Sequence, residues 1–188
     1  AGCDTRMGNI GAGCGATVGK LYGMGQSTKA GLGLHCIQVG SFQIGAIVVV
    51  NAAGDIYEAG TGKRLAGLLS ADRKQPLDSV AEMCKCLVPH DQFTGNTTIG
   101  AVFTNAAFSK AELNKIASMT RNAYARCIGP VGTMADGDSI YAASIGSEKV
   151  DINAAGTLAA SVMQEAIRKA VESARIPEAE FVAAVQNL

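Results

Sequence analysis

Residues 32–39 and 42–51 read as two β-strands side by side in the chain, and this adjacency limits the architecture more than any other stretch. Leu32, Leu34 and Cys36 alternate with smaller or more polar neighbours, and Phe42 to Val50 is rich in β-branched residues. Period-two alternation and β-branching both suit a pleated, half-buried surface. Only Gly40-Ser41 lies between the runs, which is hairpin chemistry rather than the long crossover a parallel pair requires. A third strand is expected at Thr97–Thr104 and a fourth at Ser139–Ile145, with helices between and after them. Ser109-Lys-Ala-Glu112 has the Ser-x-x-Glu form of a capping box. Behind it, Leu113, Ile116, Ala117, Met119, Ala123 and Ala125 form an apolar stripe that runs to about Cys127, before Gly129-Pro130. A second helix is expected at about 154–174, burying Leu158, Val162, Ala166, Ile167 and Val171, and a short one at 178–186. The polar stretch 62–95 reads as an exposed connection with one helix at about 77–87. Mixed strands and helices with neighbouring strands favour an α/β (α+β) layered fold, helices enclosing sheets, over a doubly wound parallel sheet.

With 188 residues, 48% of them hydrophobic, the chain suits one domain with a substantial core. Twenty-three glycines, no Trp and only 5% aromatic residues point to closely approaching backbones and sharp turns. A net charge of zero gives no electrostatic reason to expect nucleic acid or a membrane as partner. No apolar run reaches the ~18 residues of a transmembrane helix. The six cysteines match no zinc-ligand spacing, and Cys84-Lys-Cys86 is one residue short of C-x-x-C. They read as reduced, mostly buried thiols of a cytoplasmic protein. His35 and His90 read as structural, so neither metal nor organic cofactor is expected. The Gly-rich stretch Asn9–Lys20 fails as a P-loop twice, because Cys14 takes the place of the first Gly and Leu21 that of the magnesium-binding hydroxyl.

The segment that carries chemistry is Gly95-Asn96-Thr97-Thr98-Ile99-Gly100, where a connection runs straight into a strand that begins with a hydroxyl. Strain at the Asn96–Thr97 peptide would let the Thr97 hydroxyl attack the Asn96 carbonyl. Hydrolysis of the resulting ester would free the Thr97 amine, whose ordinary pKa of about 8 suits a general base. Two blander readings compete: strands often open with Thr after Gly-Asn, and Asn96-Thr-Thr98 also fits an N-glycosylation acceptor. Likewise, Asp136-Gly-Asp138 reads on its own as a solvated turn.

Gly-Asn-Thr-Thr-Ile-Gly-Ala-Val-Phe-Thr-Asn105 resembles the self-cleavage site of the DmpA-type aminopeptidases (L-aminopeptidase/D-esterase, peptidase family S58), which include β-aminopeptidases and nylon-oligomer hydrolases. Three further segments are similar to that family in the same order: Gly8–Lys20, Val48-Val-Val-Asn51-Ala-Ala-Gly-Asp55, and Pro130-Val-Gly-Thr-Met-Ala-Asp136-Gly-Asp138-Ser. The resemblance implies an αββα sandwich of the N-terminal-nucleophile type. It also implies a single catalytic domain over 1–188, lacking an N-terminal portion and self-cleaved into 1–96 and 97–188. Thr97 would be the nucleophile, Asn51 an oxyanion donor, Asp136 and Asp138 the groups that position and tune Thr97, and Lys20 a stabilising charge. The implied substrate is a small peptide, amide or ester with a free amino terminus, and the implied assembly a homo-oligomer. An acyltransferase of the ornithine acetyltransferase type shares this logic, and a non-catalytic relative or fragment is the alternative from another class. Gly132 and Met134-Ala135 depart from the family's pattern in a way that bears on substrate preference.

Overall fold

The computed structural model describes residues 5–85 and 95–186. The Gly-rich stretch forms a single 3-10 turn at Gly11–Gly13, followed by strand β1 (Thr17–Val18), which pairs with β2 (Thr28–Lys29). Next come β3 (Leu32–Val39) and β4 (Phe42–Val49), antiparallel in unbroken register from Leu32 opposite Val49 to Val39 opposite Phe42. Gly40, at φ +61°, makes the left-handed turn between them. Strands β5 (Asp55–Tyr57) and β6 (Arg64–Ala66) and helix α1 (Ser79–Lys85) follow. Strand β7 is Ile99–Ala106, helix α2 Lys110–Cys127, β8 Ile128–Gly129, β9 Ser139–Glu148, α3 Ile152–Glu172 and α4 Glu178–Gln186.

The principal sheet has the order β3-β4-β7-β9, antiparallel except for the parallel pair β7–β9. Alternation along its strands separates two faces. Phe42, Ile44, Ala46 and Val48 of β4 and Gly100, Val102, Thr104 and Ala106 of β7 are buried on the face that α2 and α3 cover. Helix α3 lies close to this face because its inner side is built from Ala155, Ala159, Ala166 and Ala170, with Met163 and Ile167 filling the space between. The approach is tight: a Cβ on Gly33 of β3 would stand 2.0 Å from the Ala166 carbonyl oxygen. The two helices meet through Gly156, where a Cβ would stand 2.4 Å from the Met119 sulfur. The opposite sheet face carries Ile99, Phe103, Tyr141 and Ile145, all exposed among the described residues.

A second sheet, β6-β5-β8, is organised by one buried carboxylate. Asp55 is fully buried and accepts from Leu68 N (2.7 Å), Ser79 N (2.8 Å), Ser79 Oγ (2.7 Å) and Arg64 Nη2 (3.2 Å). A buried charge persists only when donors surround it, and here these donors come from β6, from the loop after it and from α1. This corrects the expectation that 62–95 is an irregular connection, because within the described part β6 and α1 are both tied to the core by Asp55. Helix α1 begins at Ser79, two residues later than expected, and its expected end at 87 lies outside the described residues.

The thiols also differ from expectation. Cys14, Cys36 and Cys84 are free and exposed, and Cys127 is free and buried. Cys36 lies on the uncovered face of the sheet, opposite Gly45. Cys3, Cys86 and His90 lie outside the described residues. His35 Nδ1 meets Lys169 Nζ at 2.9 Å. Among the described residues no helix is long and apolar enough to cross a membrane.

Candidate active site

Strand β7 starts at Ile99 rather than at Thr97, because the Thr98 amide just before it is bonded to a side chain. Thr97 N–H donates to the Asn51 carbonyl (2.9 Å), just past the end of β4. Thr98 N–H donates to Asp138 Oδ1 (2.8 Å) instead of to a backbone partner. The carbonyls keep the pairing pattern: Gly137 N–H donates to Asn96 O (3.0 Å) and Ser139 N–H to Thr98 O (3.1 Å). The peptide between Asn96 and Thr97 is therefore held from both sides. Asn96 is 3% exposed and Thr98 is fully buried. The Thr97 hydroxyl, joined to the far side of this peptide, donates to Asn96 O at 2.6 Å.

Lys20 and Asn51 converge just below this junction. Lys20 follows β1 in a turn whose Gly19, at φ +71°, packs against the backbone of Gly67 and Leu68. Its side chain, 2% exposed, reaches Asn51 Oδ1 (2.7 Å), Asn51 O (3.2 Å) and Gly95 O (3.1 Å). Burial pushes the ammonium down to about 8, against the pull of Asp136, which favours the charged form. The Asn51 amide is oriented by Thr17 N–H and Lys20 on its oxygen, which leaves Nδ2 to donate to Gly95 O at 2.9 Å. Two strong donors thus share the Gly95 carbonyl, one residue before the Asn96–Thr97 bond.

The Asp136-Gly-Asp138 loop closes the site from the β9 side. Asp136 forms a parallel bridge with Asn96, while its carboxylate accepts from Thr133 N and Thr133 Oγ1, both at 2.8 Å, and so stiffens its own loop. Asp138 accepts from Thr98 N–H, and burial pushes its carboxyl upward, with that amide and Arg121 acting the other way. The two acids therefore hold different objects: Asp136 its loop, Asp138 the backbone beside Thr97. Tyr124 of α2 is buried with its hydroxyl 3.5 Å from Thr98 O, and desolvation drives its ionisation well above the ordinary tyrosine range. Gly137 and Tyr124 did not stand out in the sequence. For Gly137 the available signal was a glycine between two acids; Tyr124 is one more apolar-stripe residue on its helix.

On the outer side of Thr97 a cleft of about 350 Å³ is lined by Ala12, Gly15, Ala16, Val49, Asn51, Thr97 and Ile99. Its walls are small and aliphatic apart from the Asn51 amide and the Thr97 hydroxyl, which suits a cleft that takes an acyl chain and presents a few polar groups to one carbonyl. The Gly-rich loop supplies three of the lining residues, so its glycines and alanines shape a wall. The five residues singled out in the sequence, Lys20, Asn51, Thr97, Asp136 and Asp138, thus come from four separate stretches and meet around one peptide bond.

Across its whole length the chain superposes on the L-aminopeptidase D-Ala-esterase/amidase of Ochrobactrum anthropi with a TM-score of 0.63 at 17% identity, covering 54% of that chain. A β-aminopeptidase of a Burkholderia species matches 97% of this chain and 54% of its own at a TM-score of 0.53 and 17% identity. The fold is accordingly that of the Ntn hydrolases, the class to which the Ochrobactrum structure is assigned. Residues 1–180 match Peptidase family S58, and the chain belongs to that family. Among curated relatives it is 34% identical over 155 residues to an uncharacterised aminopeptidase of Mycobacterium tuberculosis, covering 80% of this chain and 43% of the relative. It is 33% identical over 181 residues to the 6-aminohexanoate-oligomer endohydrolase of Paenarthrobacter ureafaciens, covering 87% and 50%. The chain spans about half the length of the curated relatives it matches.

Proposed function

We propose that this chain forms the catalytic part of a self-processing amidohydrolase, in which Thr97 first cleaves the Asn96–Thr97 bond and then hydrolyses amide or ester bonds of substrates with a free amino terminus. The observation that carries the reading is the Thr97 hydroxyl at 2.6 Å from the carbonyl oxygen of the preceding residue, in a peptide that hydrogen bonds hold on both sides. Attack of Oγ1 on the Asn96 carbonyl carbon passes the hydroxyl proton to the departing Thr97 nitrogen and leaves an ester. Water then releases residues 1–96 from 97–188 within one folded domain. The freed amine stays beside the Asn51 carbonyl, which already accepts from that nitrogen, and serves as base for the hydroxyl it shares a residue with.

Membership of a peptidase family supports hydrolysis of amide bonds as the second reaction. Departure of the Gly95 carbonyl would free Asn51 Nδ2 and Lys20 Nζ to receive the oxyanion of a substrate bound in the cleft, worth about 3 kcal/mol for one donor. Asp138, through the Thr98 amide, keeps the nucleophile at the mouth of that cleft. The chemistry uses protein groups and water. A homo-oligomer is part of the same proposal.

Intact mass under denaturing conditions, with N-terminal sequencing, tests the first step. Two fragments are expected, the second beginning Thr97-Thr-Ile-Gly, and a Thr97→Ala chain should remain whole. A wild-type chain that stays uncut after prolonged incubation would remove Thr97 from the role assigned to it.

A further inference from the structure

We propose that the backbone N–H of Gly137 is the oxyanion donor for cleavage of the Asn96–Thr97 bond, and that residue 137 lacks a side chain because the attacking hydroxyl occupies that space. The inference rests on the self-cleavage reading above and adds a group to it. Three observations carry it. Gly137 N–H points at the scissile carbonyl oxygen at 3.0 Å, the same atom to which the Thr97 hydroxyl donates. A Cβ on residue 137 would stand 2.6 Å from Thr97 Oγ1 and 3.7 Å from Thr97 Cβ. Finally, the φ of Gly137 is not in the left-handed region, so no backbone conformation demands glycine here, unlike Gly132 at φ +69° in the same loop. What remains to demand it is space, and the nearest claimant to that space is the hydroxyl.

The donor is preorganised. Asn96 and Asp136 form a parallel bridge that extends the β7–β9 register, and Ser139 N–H repeats the same bond two residues on, to Thr98 O. Asp136 fixes the loop through Thr133, and Asp138 takes the Thr98 amide. When Oγ1 bonds to the Asn96 carbon, the π pair of the C=O moves to the oxygen that Gly137 N–H already holds. Collapse of the intermediate breaks the C–N bond, with the hydroxyl proton ending on the Thr97 nitrogen. A dipole set in place before charge develops stabilises that charge without reorganising, which is how such donors lower a barrier. Asn51 Nδ2 and Lys20 Nζ are engaged one residue earlier, on Gly95 O, during this step. Self-cleavage and substrate turnover would then use different donors, Gly137 for the first and the Asn51 amide for the second.

The test replaces the Asp136–Gly137 amide by an ester, introducing glycolic acid at position 137 by nonsense suppression, which deletes the N–H and adds no bulk. Cleavage is followed by denatured intact mass after synthesis, beside wild type and Gly137→Ala. The expected result is a slowing of roughly 10²–10³-fold for the ester chain, the loss typical of one oxyanion donor. Gly137→Ala should also slow cleavage, by displacing the hydroxyl. Both changes, placed in the Thr97→Ala background where no hydroxyl can collide or cut, should keep a cooperative melting transition, lowered in the ester chain only by the loss of one backbone hydrogen bond. An ester chain that cuts at the wild-type rate overturns the proposal while leaving Thr97 in its role, as does Gly137→Ala cutting at that rate. A fold lost in the Thr97→Ala background would make the Gly137 amide a structural tie and overturn it too. A wild-type chain that stays whole removes the parent reading, and this inference goes with it.

Discussion

A buried lysine beside a junction of three carbonyl oxygens sets the electrostatics of this site. Lys20 has a use for each of its three N–H donors, on Asn51 O, Asn51 Oδ1 and Gly95 O, and burial nevertheless lowers its pKa from 10.5 to about 8. The sign of the resulting pH dependence follows from proton counting. Between pH 8 and 10.5 the unfolded chain still holds the Lys20 proton that the folded chain has released, so folding stability rises with pH across that window. A shift of this size corresponds to roughly 3 kcal/mol when the window is fully crossed. Lys29, also lowered to about 8 by burial, adds a rise of the same sign. Urea unfolding of the uncut Thr97→Ala chain should therefore show stability increasing from pH 8 to about 9, above which the Cys127 thiol, pushed up to about 11 by burial, acts the other way. Lys20→Met should remove a large share of the increase. An unchanged slope in Lys20→Met would mean that Lys20 ionises as it does in water.

At the scale of elements, helix α2 and helix α3 illustrate two ways of anchoring a helix. Ser109 accepts from Glu112 N–H while the Glu112 carboxylate accepts from Ser109 N–H at 2.7 Å, a complete capping box. Losing it in Ser109→Ala should cost about 1 kcal/mol in urea unfolding, without effect on the cleavage proposed at Thr97. Helix α3 is capped by Asp151, which accepts from Asn153 and Ala154 N–H, and is further anchored by tertiary packing, through the close approach of Gly33 to Ala166 and Ala170. A methyl group at Gly33 would collide with backbone at 2.0 Å, so Gly33→Ala must move helix or strand. It should cost more than Ser109→Ala, about 1–3 kcal/mol as overpacking typically does. The capping box was visible as Ser-x-x-Glu; the Gly33 contact was not, since nothing local marks a strand glycine that another element will touch. The late start of β7 belongs here too, because Thr98 has the β-propensity of a strand yet gives its amide to the Asp138 carboxylate.

Over the whole molecule the principal sheet is asymmetric. One face is closed by α2 and α3, and the other exposes Ile99, Phe103, Tyr141 and Ile145 among the described residues. Antiparallel sheets that face water usually alternate to polar residues on that side, and this one does not. A contiguous apolar surface of this kind binds hydrophobic dyes. The 188-residue chain should therefore enhance the fluorescence of anilinonaphthalene sulfonate while showing a cooperative thermal transition. Phe103→Ser with Ile145→Ser should reduce the enhancement substantially and leave the transition in place. Dye binding unchanged by the pair would locate the apolar surface elsewhere.

What the sequence by itself determined was local. The hairpin at Gly40, the capping box at Ser109, the amphipathic stripe of α3 and the Gly-Asn-Thr-Thr junction are each written within a few residues, where period and turn chemistry act. The ordered resemblance of four segments then joined Lys20, Asn51, Thr97, Asp136 and Asp138 into one hypothesis. Only the tertiary structure decided what each group holds: Asp55 gathering β6 and α1, Asp136 bracing its own loop, Asp138 taking the Thr98 amide, and Gly137 leaving room for a hydroxyl 40 positions earlier. The physical reason is that a hydrogen bond or a steric contact between distant segments depends on their register to within an ångström, and register is a property of the packed sheet rather than of either segment.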